Sequence, residues 1–249
     1  AVNDRPHWNA LAATFFTYNF AFAYGFVNYL FGLGVYFVTF AVWLKYRSTW
    51  TVARLISVSA LAATCYLSHL SAFVFLGISV VCLTAFDVMR GGRLLKVSLL
   101  LGLIPLVLPA VTHVVNRAET QDSWAITWWH PLVLKKIIGL AYPFLTYDLL
   151  VDGALGAVFM LLVFLSVRGN PSRFVSLDLF LIGAIFVGLY IISPMSGART
   201  SYIDRRFLLP ALVFLLLGAR IDLSRRLGQY AMIGLLALSF VRVAEVGYF

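Results

Sequence analysis

The chain has 249 residues, 62% of them hydrophobic and 12% charged, where soluble domains carry about one-quarter charged residues. That composition excludes an ordinary water-soluble globule and predicts an all-α fold, a polytopic transmembrane helical bundle forming one domain over residues 1–249, with about eight spans of roughly 20 residues, some short or broken. The formal charge of +9 is scattered in short clusters between apolar runs, which excludes a continuous nucleic-acid-binding face and predicts the lipid bilayer as partner, with no nucleic acid.

The sequence opens at Ala1 with no initiator Met and no signal-peptide pattern, so it reads as the carboxyl-terminal part of a longer chain. Residues 11–44 are apolar almost throughout; as one helix they would measure about 51 Å, too long for a core of about 30 Å. Gly25 with Asn28, and the pair Gly32 and Gly34, are the expected weak points. They predict an interfacial or re-entrant piece before Tyr24 and a span near 25–44, closed by Lys45 and Arg47. The run from Leu55 to Phe86 is interrupted only at Ser68-His69-Leu70-Ser71, which predicts two short helices meeting at His69. A polar connection with Asp87, Arg90, Arg93 and Lys96 follows, then a span near 97–115 bent by Pro105 and Pro109, which membrane helices tolerate.

Residues 116–150 form the longest non-spanning stretch, rich in Trp and Tyr, residue types that mark the headgroup region. Within it, Pro131 to Leu145 is expected as an amphipathic interfacial helix. Further spans are predicted near 153–167, 174–193, 207–219 and 228–244. With alternating spans, the short loops carrying Lys45, Arg47 and Arg54, then Arg90, Arg93 and Lys96, then Arg168 and Arg173, then Arg220, Arg225 and Arg226 fall on one side, which the positive-inside rule makes cytoplasmic.

Several polar groups invite a chemical reading, each beside a structural one. His69, at membrane depth, is a cavity-lining candidate or a neutral imidazole bonded at a helix break. Asp204, Arg205 and Arg206 stand before the apolar run Phe207–Leu217. The two guanidinium groups suit a phosphate or diphosphate, while an Asp cap with snorkelling arginines would explain the same residues. Asp148 and Asp152 lie four apart, a pair that can serve as base and metal ligand and that more often marks a solvated helix amino terminus favoured by the macrodipole. Asp178 is a relay candidate or an interfacial partner of Arg173. Glu119, Asp122 and Trp128-Trp129-His130 add weaker signals. Cys65 and Cys82 sit in apolar runs without a CxxC pair, so no disulfide framework and no metal site is indicated. No nucleotide, dinucleotide, zinc-protease or serine-hydrolase motif is present, and no cofactor is identifiable.

The sequence from Tyr24 to Gly34, the helix pair broken at Ser68-His69-Leu70, the aspartates at 148 and 152, and Asp204-Arg205-Arg206-Phe207-Leu208-Leu209-Pro210 entering a late span together resemble bacterial GT-C type glycosyltransferases. The resemblance touches most of the chain. It implies transfer of a sugar from a polyprenyl-phosphate donor at the outer face of the cytoplasmic (inner) membrane, with Arg205 and Arg206 on the donor phosphate, the stretch around Lys135 and Lys136 over the lipid entrance, and His69 lining the cavity. In that family an acidic catalytic motif lies in the first large external loop; this chain has no loop matching it, so the catalytic residues stay unassigned. The rival readings are a transporter or flippase of a lipid-linked or small anionic substrate, and a non-catalytic membrane scaffold.

Overall fold

The computed structural model describes residues 19–23, 25–90, 102–107, 109–111, 126–128, 132–145, 148–167, 176–197, 200–219 and 226–248. The fold is all-α, and its residues group into two compact units, 26–125 and 1–25 with 126–249.

In the unit of residues 26–125, helix α2 (Val27–Tyr46) packs on α3 (Val52–Ser68) and α4 (Leu70–Met89). Tyr29, Leu33, Tyr36, Phe40 and Trp43 of α2 are buried. They recur in alternating steps of four and three, so they form one continuous seam along the helix. Polar bonds tie the seam at three depths. Tyr36 Oη and Ser79 Oγ are 2.7 Å apart, Trp43 Nε1 donates to the Gly102 carbonyl at 2.9 Å, and Arg47 pairs with Asp87 at 3.0 Å. The opposite faces are also apolar, with Val27, Phe31, Val38, Val74 and Val81 uncovered by protein.

Both α2 and α4 have the length and composition to cross a membrane. Twenty residues at 1.5 Å per residue give about 30 Å. The apolar helices Val52–Ser68 and Leu177–Ile192 are shorter.

The α3–α4 break falls at His69, as the sequence predicts. His69 takes an extended backbone (φ −167°, ψ 120°), and its Nδ1 accepts the Ser71 N–H at 3.2 Å. One residue thus ends one helix and caps the next. Gly32 of α2 makes the corner accessible, because a Cβ there would lie 2.8 Å from His69 Cβ. Asn28, Gly32 and Gly34 therefore do not weaken the helix as expected: all three lie inside α2. The break occurs at Gly25, the first of the expected weak points, whose φ of +73° favours glycine and separates α1 (Phe20–Ala23) from α2, as the piece expected before Tyr24 and the span expected from residue 25 require.

The second unit contains α5 (Leu132–Gly139), α6 (Leu149–Val167), α7 (Leu177–Ile192), a ribbon of β1 (Ser196–Gly197) and β2 (Thr200–Ser201), α8 (Ile203–Arg206), α9 (Leu208–Gly218) and α10 (Arg226–Tyr248). The amphipathic helix expected to reach Leu145 stops at Gly139. Beyond it, residues 140–144 continue as turns bonded three residues apart, such as Tyr142 N–H to the Gly139 carbonyl and Phe144 N–H to the Ala141 carbonyl. Pro143 interrupts any longer helix because it lacks an N–H.

Helix α9 is buried along nearly its whole length and packs on α7. The contact depends on two glycines. A Cβ on Gly183 would come within 2.8 Å of Leu215 N, and one on Gly218 would collide with the Phe180 backbone. Small residues at such points let helix backbones approach closely. Helices α6 and α10 form a second pair.

Candidate functional site

Among the described residues of the second unit, a polar constellation is built around Lys136. Helix α5 buries only Lys136 and Gly139, so the lysine points into the protein while its neighbours face outward. Lys136 is 7% exposed and Asp204 is 0% exposed. The ammonium donates to the carbonyls of Tyr190 at 2.7 Å and Ser193 at 2.8 Å and to Asp204 Oδ2 at 2.7 Å. Three donors therefore meet three acceptors, the full capacity of a lysine head group. Two of those acceptors are carbonyls near the end of α7 that the helix cannot itself satisfy.

Tyr190 closes the arrangement from the other side. Its ring lies 4.7 Å from the Lys136 ammonium and its hydroxyl donates to the Lys136 carbonyl at 2.5 Å. Gly139 is required beneath it, because a Cβ there would occupy the place of the Tyr190 hydroxyl.

Asp204 also accepts the Arg205 N–H through Oδ1 at 2.9 Å, which fixes the first turn of α8. Tyr202, just before that helix, holds φ 57° and ψ 38°, a left-handed conformation that costs a non-glycine residue roughly 1–2 kcal/mol. The Arg205 guanidinium lies 3.4 Å from the Tyr142 ring centroid and 4.6 Å from that of Tyr202. Arg206 donates through Nη2 to the Ser201 carbonyl at 3.2 Å, at the edge of the ribbon. That ribbon gains a third piece from Thr127, whose N–H donates to the Ser196 carbonyl at 3.0 Å while its own carbonyl accepts the Met195 N–H at 3.0 Å. Trp128 projects outward beside it.

The sequence candidates thus separate in space. Lys136 and Asp204 bond directly, and Arg205 and Arg206 follow Asp204 on α8 with their own contacts to Tyr142, Tyr202 and Ser201. Asp148 and Asp152 do not act as a pair: Asp148 caps α6 by accepting the N–H groups of Leu150 at 2.7 Å and Val151 at 3.2 Å, whereas Asp152 turns inward. There it forms a buried ion pair with Arg242 of α10, whose guanidinium also donates to the Phe144 carbonyl. His69 lies in the other unit, at its helix junction, with its ring edge-on to Tyr29 at 5.4 Å. Lys135 is exposed on α5. Asp178 occupies the first turn of α7. The expectations for Glu119, Asp122, Trp129, His130 and Arg173 lie outside the described residues. Among the described residues no three His, Cys, Asp or Glu side chains gather in a way that could hold a metal ion.

Sequence reasoning missed Tyr190 and Arg242 as partners. Arg242 carried a usable signal: it is the only charged residue between Gln229 and Ala244, and an arginine in so apolar a stretch points to a polar partner. Tyr190 carried none, since tyrosine is common at interfaces and in cores alike.

No family model, curated protein or solved structure matches the chain.

Proposed function

We propose that this chain is a multi-pass protein of the cytoplasmic membrane, resembling GT-C glycosyltransferases, and that Arg205 and Arg206 hold the phosphate of a polyprenyl-phosphate-linked sugar at its outer face. On this reading about eight spans form the bundle, the shorter helices adjusting by local thinning of the bilayer. The observation that supports the site best is the seating of Arg205 on the rings of Tyr142 and Tyr202, one residue from the buried Lys136–Asp204 pair. A guanidinium stacked by its face presents its N–H fork edgewise, the orientation that meets phosphate oxygens in pairs. Asp148, Asp152 and Asp204 serve as a cap and as ion-pair partners, so the proposal rests on the arginines and gives these carboxylates structural roles.

The test is binding of undecaprenyl phosphate to the chain in lipid nanodiscs, with the uncharged polyprenol as competitor. Arg205→Ala with Arg206→Ala is expected to weaken binding at least about tenfold, since one hydrogen bond to a charged group contributes ~1.5–3 kcal/mol. Polyprenol should not compete. Undiminished affinity in the double variant, or equal competition by the alcohol, would remove the arginines from the site.

A further inference from the structure

Helix α5 reverses the usual arrangement of a surface helix, with its buried side charged and its outer side apolar. Val133, Leu134, Ile137 and Ile138 are between 47% and 70% exposed. At 100° per residue they cover an arc of about 140°, and Lys135 lies about 60° beyond Ile138. The opposite side carries Lys136 and Gly139, which are buried, with Leu132 of the first turn projecting between them and exposed.

The helix cannot roll to hide the apolar arc. Rotation would withdraw Lys136 from Tyr190, Ser193 and Asp204 and would replace Gly139 by a residue with a Cβ at a place where a Cβ meets the Tyr190 hydroxyl. Nor can eight residues, about 12 Å long, cross a hydrocarbon core of about 30 Å. The arc continues at Leu140, which is also exposed. An orientation fixed by a saturated ion pair, an outward apolar arc and a flanking ammonium match one environment on both counts: acyl chains for the arc, and lipid phosphate for Lys135 at its edge.

We infer that α5 lies in the headgroup–acyl boundary of a phospholipid leaflet, with Val133, Leu134, Ile137 and Ile138 turned toward the acyl chains and Lys135 at the phosphates. This inference rests on the reading of the chain as a membrane protein. It adds the depth of one element and the role of the Lys136–Asp204 pair in holding that element's orientation.

The test uses the full chain with Cys65→Ala and Cys82→Ala, carrying one new cysteine at Val133, Ile137 or, as reference in α4, Val81. Each is labelled with an environment-sensitive fluorophore and reconstituted in phosphatidylcholine–phosphatidylglycerol vesicles. Emission is measured against iodide in the water and against lipids bearing a nitroxide either near the headgroup or deep in the chain. Labels at 133 and 137 are expected to lose emission chiefly to the shallow nitroxide and to keep it in iodide, while the label at 81 is quenched by nitroxide lipids. Quenching at 133 and 137 by iodide would place α5 in water and overturn the inference. Quenching by neither agent would mean that protein covers the arc, and quenching chiefly by the deep nitroxide would mean a buried depth; both overturn it as well. If position 81 is untouched by either nitroxide, the membrane reading itself fails, which separates the two conclusions.

Discussion

Removing the carboxylate of Asp204 exposes how much the Lys136 cluster stabilises the second unit. Asp204→Ala leaves an ammonium at 7% exposure with two carbonyl acceptors and no counter-charge. Breaking one partner of a buried pair costs about 3–5 kcal/mol. For a unit of this size that loss lowers the unfolding temperature by roughly 6–20 °C, at about 2–4 °C per kcal/mol. Lys136→Met is expected to cost a comparable amount, because it takes from the buried Asp204 the ammonium bonded to its Oδ2 and removes the donor from the carbonyls of Tyr190 and Ser193. Lys136→Met combined with Asp204→Leu should lose less than the sum of the single changes, since no unpaired charge stays behind. The assay is thermal unfolding in detergent followed by tryptophan emission, with equilibrium unfolding in mixed anionic micelles for the free-energy cycle. Single variants that lose under ~1 kcal/mol and add without coupling would show that the pair behaves like an exposed surface pair, which would refute its role as a buried tie between α5 and α8.

Two further comparisons follow from the packing. Gly183→Ala places a methyl group against the α9 backbone and should cost about 1–3 kcal/mol, whereas Gly188→Ala, on the same helix with open space around it, should be neutral or stabilising by up to about 1 kcal/mol; equal effects in the micelle titration would contradict the close approach of α7 and α9. Arg242→Ala, measured the same way, should lose about 3–5 kcal/mol by removing the guanidinium that bonds the buried Asp152, while Asp148→Ala should lose ~1 kcal/mol as an ordinary cap. Similar losses at 148 and 242 would refute the separate roles of the two aspartates.

Helix class and most helix positions were legible in the sequence because apolar runs set them and polar residues bound them. His69 is the clearest case, since a single imidazole between two apolar runs marks the junction at which it is found. Among the glycines, Gly25 marked the break correctly and the pair at 32 and 34 did not. Gly32 looked like a weak point but is an approach point for α4, a distinction that depends on the neighbouring helix and not on local sequence. At the site, Arg205 and Arg206 were visible as charges before an apolar run, and Lys136 as one of two lysines on an amphipathic stretch. Which of Lys135 and Lys136 faces inward was not legible, because adjacent positions differ by about 100° around a helix and only the Tyr190 and Asp204 partners fix the choice. Asp152 likewise reads as half of an acidic pair until α10 brings Arg242 to it across ninety positions of chain.

The sequence separation of the buried charge pairs has a consequence for biogenesis. Lys136 is synthesised 68 residues before Asp204, and Asp152 ninety residues before Arg242. Synthesis runs from the amino terminus, so each first-made charge must wait in water, at the lipid boundary or on an insertion factor until its partner emerges. Completion of the unit is therefore set by its last helix, and a ribosome halted before residue 242 holds a chain whose Asp152 has yet to meet the arginine that neutralises it.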